Sequence, residues 1–150
     1  MTPCGLVLSV AWLIGLLLTA PSVTAQTSRS DSAKSYLERG GAWLKKGEIE
    51  RAISDFDLAI ATDRGLAAAW YNRGITLMNA GRLNEALASF NSAIELYPSD
   101  AQAHNNRGLT KLKLSDRTGA EADFRHALEL EPGMKEAGEN LRKLLGAVAP

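Results

Sequence analysis

The sequence predicts an all-α solenoid of three helix pairs closed by a capping helix. Apolar residues recur at spacings of three and four through residues 33–145. The pattern itself repeats every 34 residues, three times, with no insertion. No stretch sustains period-two alternation, so no sheet is expected.

The first element stands outside the repeat. Residues 1–25 contain no Lys, Arg, Asp or Glu, and hold the apolar run LVLSVAWLIGLLLTA from Leu6 to Ala20. That run is shorter than the roughly 20 residues that span a bilayer. It suits the apolar core of a secretory signal, with Val23 and Ala25 as small residues before a cut at Ala25/Gln26, although no basic residue precedes it. The expectation is export with cleavage, to the periplasm of a Gram-negative bacterium or outside the cell. An uncleaved inner-membrane anchor facing the periplasm is the alternative. Residues 26–32 read as a flexible linker. Cys4 is the one cysteine and precedes the cut, so the exported part must hold together by its core alone.

Aligning residue 33 with 67 and 101 gives units 33–66, 67–100 and 101–134, then a helix over 135–145 and a tail, 146–150. The units read as helices 33–46 and 49–62, 67–80 and 83–96, 101–114 and 117–130. In the fourth of these, Leu83, Ala86, Leu87, Phe90, Ala93 and Ile94 form one apolar face. Gly47 and Gly81 punctuate the inner turns of the first two units, and Ser115-Asp116 that of the third. Gly40, Gly74 and Gly108 share position 8, and Ala52, Ala86 and Ala120 share position 20. Phe56, Phe90 and Phe124 share position 24, and Ala59, Ala93 and Ala127 share position 27. Gly and Ala at 8 and 20 let the two helices of a unit approach, and Ala at 27 does the same for the next unit. The Phe ring fills the space between, each worth about 1.5–3 kcal/mol of burial. Trp43 and Trp70 add to this core. Pro98 and Pro132 end the second helix at position 32, where the first unit has Arg64. One pair cannot cover its own apolar face, whereas a stack can.

This pattern resembles the tetratricopeptide repeat (TPR) family over residues 33–134, with 135–145 similar to its solvating cap. The second unit is closest, with Trp70, Gly74, Ala86, Phe90, Ala93 and Pro98 in the family's places. The third departs at His104 and Lys111, positions 4 and 11. The resemblance implies a right-handed superhelix whose first helices line a concave groove. Groove positions would be Lys34, Leu37, Glu38, Gly41, Leu44 and Lys45 in the first unit. The second would supply Ala68, Tyr71, Asn72, Ile75, Met78 and Asn79, and the third Gln102, Asn105, Asn106, Leu109, Leu112 and Lys113. The cap would add Glu136, Glu139, Asn140 and Lys143.

Position 6 carries Glu38, Asn72, Asn106 and Asn140. An Asn amide complements a peptide N–H and C=O, so the asparagines could hold an extended main chain with little demand on its sequence. They could equally bond to the preceding repeat. The family's clamp for chaperone C-terminal carboxylates would need cations where this chain has Leu37, Gln102 and Asn106, and an Asn where it has Gly41; only Asn72 matches it. Tyr71, Ile75, Met78, Leu109 and Leu112 give the groove an apolar floor. Gly41, a second glycine beside Gly40, either admits a ligand backbone or frays the first helix, and fraying is expected.

Other chemistry is excluded by composition. Seventeen basic residues balance 17 acidic ones, leaving no phosphate-binding footprint and so no nucleic-acid partner. His104 and His126 lack the spacing or cysteine partners of a metal site, and no glycine-rich phosphate loop follows a strand. No cofactor, small-molecule substrate or catalysis is expected. The implied function is an adaptor that binds an extended segment of a partner protein and scaffolds an envelope complex. The alternative is a self-associating structural protein without a peptide ligand.

Overall fold

A computed structural model of the chain describes residues 23–146; the apolar run Leu6–Ala20 lies outside them. Seven helices follow in order: α1 Val23–Lys45, α2 Ile49–Thr62, α3 Ala67–Asn79, α4 Leu83–Leu96, α5 Ala101–Lys113, α6 Arg117–Leu130 and α7 Lys135–Gly146. There is no strand among the described residues. The bounds of α2, α4 and α6 coincide with the expected ones.

The repeated glycine has a direct steric cause. A Cβ built on Gly40 would stand 2.5 Å from Phe56 Cε1, one on Gly74 2.8 Å from Phe90 Cε1, and one on Gly108 2.7 Å from Phe124 Cε1. The three Phe rings are fully buried, as are Ala52, Ala86 and Ala120. Each ring therefore sits directly against the bare backbone of its partner helix. Ala59 packs with Ala69 of the next unit, and Ala127 with Ala137 of the cap, as small residues at position 27 should.

Both turns are copied as faithfully as the helices. Gly47 and Gly81 have φ of +76° and +78°, and Ser115 takes the same left-handed backbone at 68°. Each time the amide that follows closes onto the first helix: Glu48 N to Trp43 O, Arg82 N to Leu77 O, Asp116 N to Lys111 O. The outer turns pass through Asp63, Tyr97 and Glu131, all extended near φ −140°. The first lacks the following proline and yet keeps the shape, because Asp63 N still bonds to Ala59 O.

Among the described residues, successive first helices touch (α1 with α3, α3 with α5, α5 with α7), while α2, α4 and α6 do not touch one another. The stack therefore curves towards α1, α3, α5 and α7, which form the inner face.

Two expectations about the first helix are corrected. Residues 26–32, read as a linker, are helical, because nothing between Pro21 and Gly40 breaks a helix and extension beyond a formed nucleus is cheap. Nor does Gly41 fray the helix: α1 continues through it to Lys45. A Cβ on Gly41 would meet nothing within 4 Å.

The two neighbouring glycine types should respond oppositely to alanine. Gly74→Ala drives a methyl into Phe90, and the overpacking, about 1–3 kcal/mol, outweighs the gain in helix propensity. Gly41→Ala meets open space and should stabilise by up to about 1 kcal/mol. Urea denaturation of both variants checks the opposite signs.

Candidate functional site

The inner face is built from positions 5 and 6 of successive first helices, which meet across the repeat boundary. Asn106 Nδ2 donates to the Tyr71 hydroxyl at 2.9 Å, and Asn140 Nδ2 donates to Asn105 Oδ1 at 2.9 Å. Both bonds join position 6 of one unit to position 5 of the unit before. The first boundary cannot form such a rung, because position 5 there is Leu37, which has no acceptor. The Asn72 side chain has no hydrogen-bond partner among the described residues; its backbone carbonyl accepts from Thr76 Oγ1.

The asparagines expected as a ladder thus divide. Asn72 is half-buried with its amide uncommitted; Asn106 and Asn140, also half-buried, each have one N–H engaged in the scaffold. Asn105, expected on the groove surface, is instead only 4% exposed and serves to hold the cap. Asn79, Gln102 and Lys113 are exposed along the rim. Tyr71, Ile75 and Met78 are half-buried, packed on the Phe90 cluster, while Leu109 and Leu112 pack on Phe124. The floor is therefore apolar but partly occupied by the core. Burial pushes the Tyr71 phenol above its ordinary pKa, reinforced by Asp100 and opposed by Asn106, so it keeps a proton to donate.

A second polar cluster lies away from the groove, between α5 and α6. Asp123 is buried and accepts from Arg107 at 2.6 and 2.9 Å and from Lys111 at 2.9 Å. His104 is buried beside it: Nε2 lies 3.0 Å from Pro98 O, Nδ1 lies 4.0 Å from Asp123 Oδ1 with no hydrogen-bond partner among the described residues, and the ring stands edge-to-face with His126 at 4.4 Å. The two departures of the third unit, His104 and Lys111, thus converge on one carboxylate. No group of His, Cys, Asp and Glu among the described residues could hold a metal ion.

Position 7, where sequence reads Arg73 as surface or inter-repeat packing with its charge in water, joins the units through that charge. Arg73 donates to Ser89 Oγ of its own unit at 2.7 Å and to Asp57 of the preceding unit at 2.6 Å. Arg107 does the same with Asp123 and with Asn91 at 3.0 Å, and Arg39 pairs with Asp55 at 2.6 Å. Recurrence of Arg every 34 residues, with a polar residue 16 later each time and 16 earlier for Arg73 and Arg107, was the available signal.

Tetratricopeptide repeat models match residues 67–100 and 101–133. Among solved structures, the first TPR of Spaghetti (RPAP3), bound to the HSP90 peptide SRMEEVD, is 28% identical, with a TM-score of 0.78, over 81% of this chain and 96% of that one. The second TPR domain of human RPAP3, in complex with the HSP70 peptide SGPTIEEVD, is 32% identical, with a TM-score of 0.73, over 80% and 98%. The Arabidopsis OM64 TPR domain is 25% identical, with a TM-score of 0.77, over 80% and 99%. No curated protein sequence matches the chain at a significant level.

The polar cluster sets a pH dependence. Burial holds His104 below the ordinary imidazole value of 6.5, helped by His126 and Arg107 and opposed by the Pro98 carbonyl and Asp123. The unfolded chain then takes up this proton first, so stability falls as pH drops through 6.5 and levels off below the folded value. Burial alone would raise Asp123, but its bonds from Arg107 and Lys111 outweigh that and hold it below 3.8. Its contribution is lost only under that value, as pH falls through the lower folded pKa. Denaturation midpoints measured from about pH 8 to about pH 3 should show both losses, with the upper one reduced in His104→Asn.

Proposed function

This chain belongs to the tetratricopeptide repeat family, and on that premise we propose that it is an exported adaptor holding an extended segment of a partner protein in its concave groove. The carrying observation is the Asn72 amide, directed by its register to the inner face and left without a partner among the described residues. A polar group so placed in the middle of the stack matches one peptide unit of an extended chain. Two similar structures contain bound chaperone peptides, which supports a peptide as the ligand class. The function is scaffolding of an envelope complex, with no catalysis by this chain.

Export rests on the apolar run Leu6–Ala20. No helix among the described residues is long and apolar enough to cross a membrane. Cleavage at Ala25/Gln26 would release the protein, whereas an uncleaved apolar run would anchor it. The mass of the protein recovered from its native cell decides between them. A product beginning at Gln26 supports release, and the full-length chain in the membrane fraction supports the anchor.

The groove is tested by combining Asn72→Ala with Asn106→Ala. Losing the Tyr71 rung costs about 0.5–1.5 kcal/mol, leaving the protein folded. Crosslinking in the native cell should then recover the partner with the parent protein and not with the double variant. Unchanged recovery would overturn the reading. Concentration-dependent light scattering that shows self-association through the groove would favour the structural alternative.

A further inference from the structure

Each repeat boundary shows what the first helix of a unit receives from the unit before. Ala69 and Trp70, early in α3, cluster with Ala59 and Ile60, late in α2; Leu77, late in α3, clusters with Ile53, early in α2. The two helices therefore run antiparallel. At position 7, Arg73 and Arg107 each add a bond to position 25 of the preceding unit, Asp57 and Asn91.

The first helix of the stack has the same face with no helix before it. Among the described residues α1 touches α2 and α3 alone. Tyr36, Arg39 and Trp43 stand at positions 4, 7 and 11, and an open hollow of about 670 Å³ runs past Ser28, Asp31 and Ser35 to Tyr36 and Arg39. Position 3 is fully buried at Ala69 and Ala103 but exposed at Ser35. The Arg39 side chain is 54% exposed, against 18% for both Arg73 and Arg107. Arg39 donates twice to Asp55 and stacks over Tyr36, with no second hydrogen-bonded side chain among the described residues. What it does not have is the partner that the other two arginines take from position 25.

The charges on this face select the occupant. Asp55 neutralises Arg39 as Asp123 does Arg107, so the group still fitting Arg39 is a neutral acceptor, the part Asn91 plays for Arg107. Near the end of α1, Lys46 and Arg51 are exposed, each 4.9 Å from the Trp43 ring, and Glu48 reaches Arg51 only at 3.9 Å. Near its start the sign reverses at Asp31. Lys34, Glu38 and Lys45 lie round the helix on the groove side, and Arg29 lines a separate hollow with Thr62 and Asp63. A helix seated antiparallel to α1 sets its first turn by Lys46 and Arg51 and its last turn by Asp31. Acidic residues first and basic residues last satisfy both ends, the order that a helix's own dipole favours. A second copy of this chain does not meet these terms. Its last second helix, α6, is already packed on α7 and carries Arg125 at position 25, which would oppose Arg39. Nor does the apolar run Leu6–Ala20, which would lie over serines and Asp31.

We infer that the open end of the stack at α1 is a second docking surface, separate from the groove, and that it takes an α-helix of a partner protein. That helix lies antiparallel to α1, acidic in its first turn and basic in its last, with a neutral acceptor such as Asn opposite Arg39.

Hydrocarbon-stapled helices of 14 residues, the length of α2 and α4, serve as probes. Both pools carry a varied apolar stripe and a central Asn; one is acidic first and basic last, the other reversed. Each is passed over the immobilised full-length protein, and the affinity of the most enriched helix is measured. The acidic-first pool should be enriched. Ser35→Arg, which places bulk and charge at an exposed position, should weaken the selected helix at least tenfold without changing the melting temperature. Lys46→Glu combined with Arg51→Glu should weaken it as well and strengthen binding from the reversed pool. Asn72→Ala combined with Asn106→Ala should leave it unchanged. Helices lost in that last variant would sit in the groove, overturning this inference while supporting the groove reading. Enrichment of the reversed pool alone, enrichment of neither pool, or binding undiminished by Ser35→Arg would overturn it and leave the groove reading intact. Two further results would name another occupant and overturn it. Self-association abolished by Ser35→Arg would make that occupant a second copy. Helix binding confined to the form beginning at Gln26 would make it the chain's own preceding segment.

Discussion

Everything in this stack depends on a phenyl ring lying on bare backbone. In each unit the ring at position 24 comes so close to the glycine at position 8 that a methyl group could not fit between them. That contact fixes how near the two helices come and hence how the unit presents its outer faces. Because all three units share it, they share a shape, and identical shapes stack with one rotation. Curvature follows: the first helices touch their successors and the second helices do not. A groove exists because a glycine and a phenylalanine were kept in register.

That register explains how much could be read from sequence. Six of the seven helices lie where periodicity put them, to within a residue at either end, because apolar spacing and turn residues are local signals. α1 was misjudged because residues 27–32 are polar and mostly exposed, so periodicity was silent there, whereas the absence of a breaker was not. Gly41 was misjudged for a related reason. Propensity assigns a cost to a mid-helix glycine, but the cost is small beside the packing of Tyr36, Leu37 and the rest of α1 on α2.

The candidate site was legible only as a set of positions. Sequence placed Asn72, Asn106 and Asn140 on one face and could not say which amides were spent. That depends on what stands at position 5 one repeat earlier, a pairing across 35 residues. The tripeptide Asn-Arg-Gly of the second unit accordingly carries three separate jobs on adjacent residues. Gly74 receives a ring, Arg73 ties its unit to the one before, and Asn72 is left over. Helical geometry makes this possible, since consecutive residues point about 100° apart and so meet three different environments.

The arginines show that the repeat conserves charge balance as well as shape. Arg39 and Arg107 find their carboxylates at position 23 of their own units, Asp55 and Asp123. Arg73 has neutral Ser89 there and takes its carboxylate, Asp57, from position 25 of the preceding unit. Where position 25 is neutral, as at Asn91, the following position 23 is again acidic. Each of these arginines is thus neutralised once, by one of two alternative neighbours, so neither position alone looks obligatory. A half-buried guanidinium with no carboxylate would be costly, and two carboxylates around it would repel. Asp123 is the exception that keeps to the same logic: it is the most deeply surrounded of the acidic partners, and Lys111 adds a second cation beside His104, which burial keeps neutral. The departures of the third unit from the repeat are therefore one local solution to the burial of one charge, and they leave the groove to the residues that the scaffold does not use.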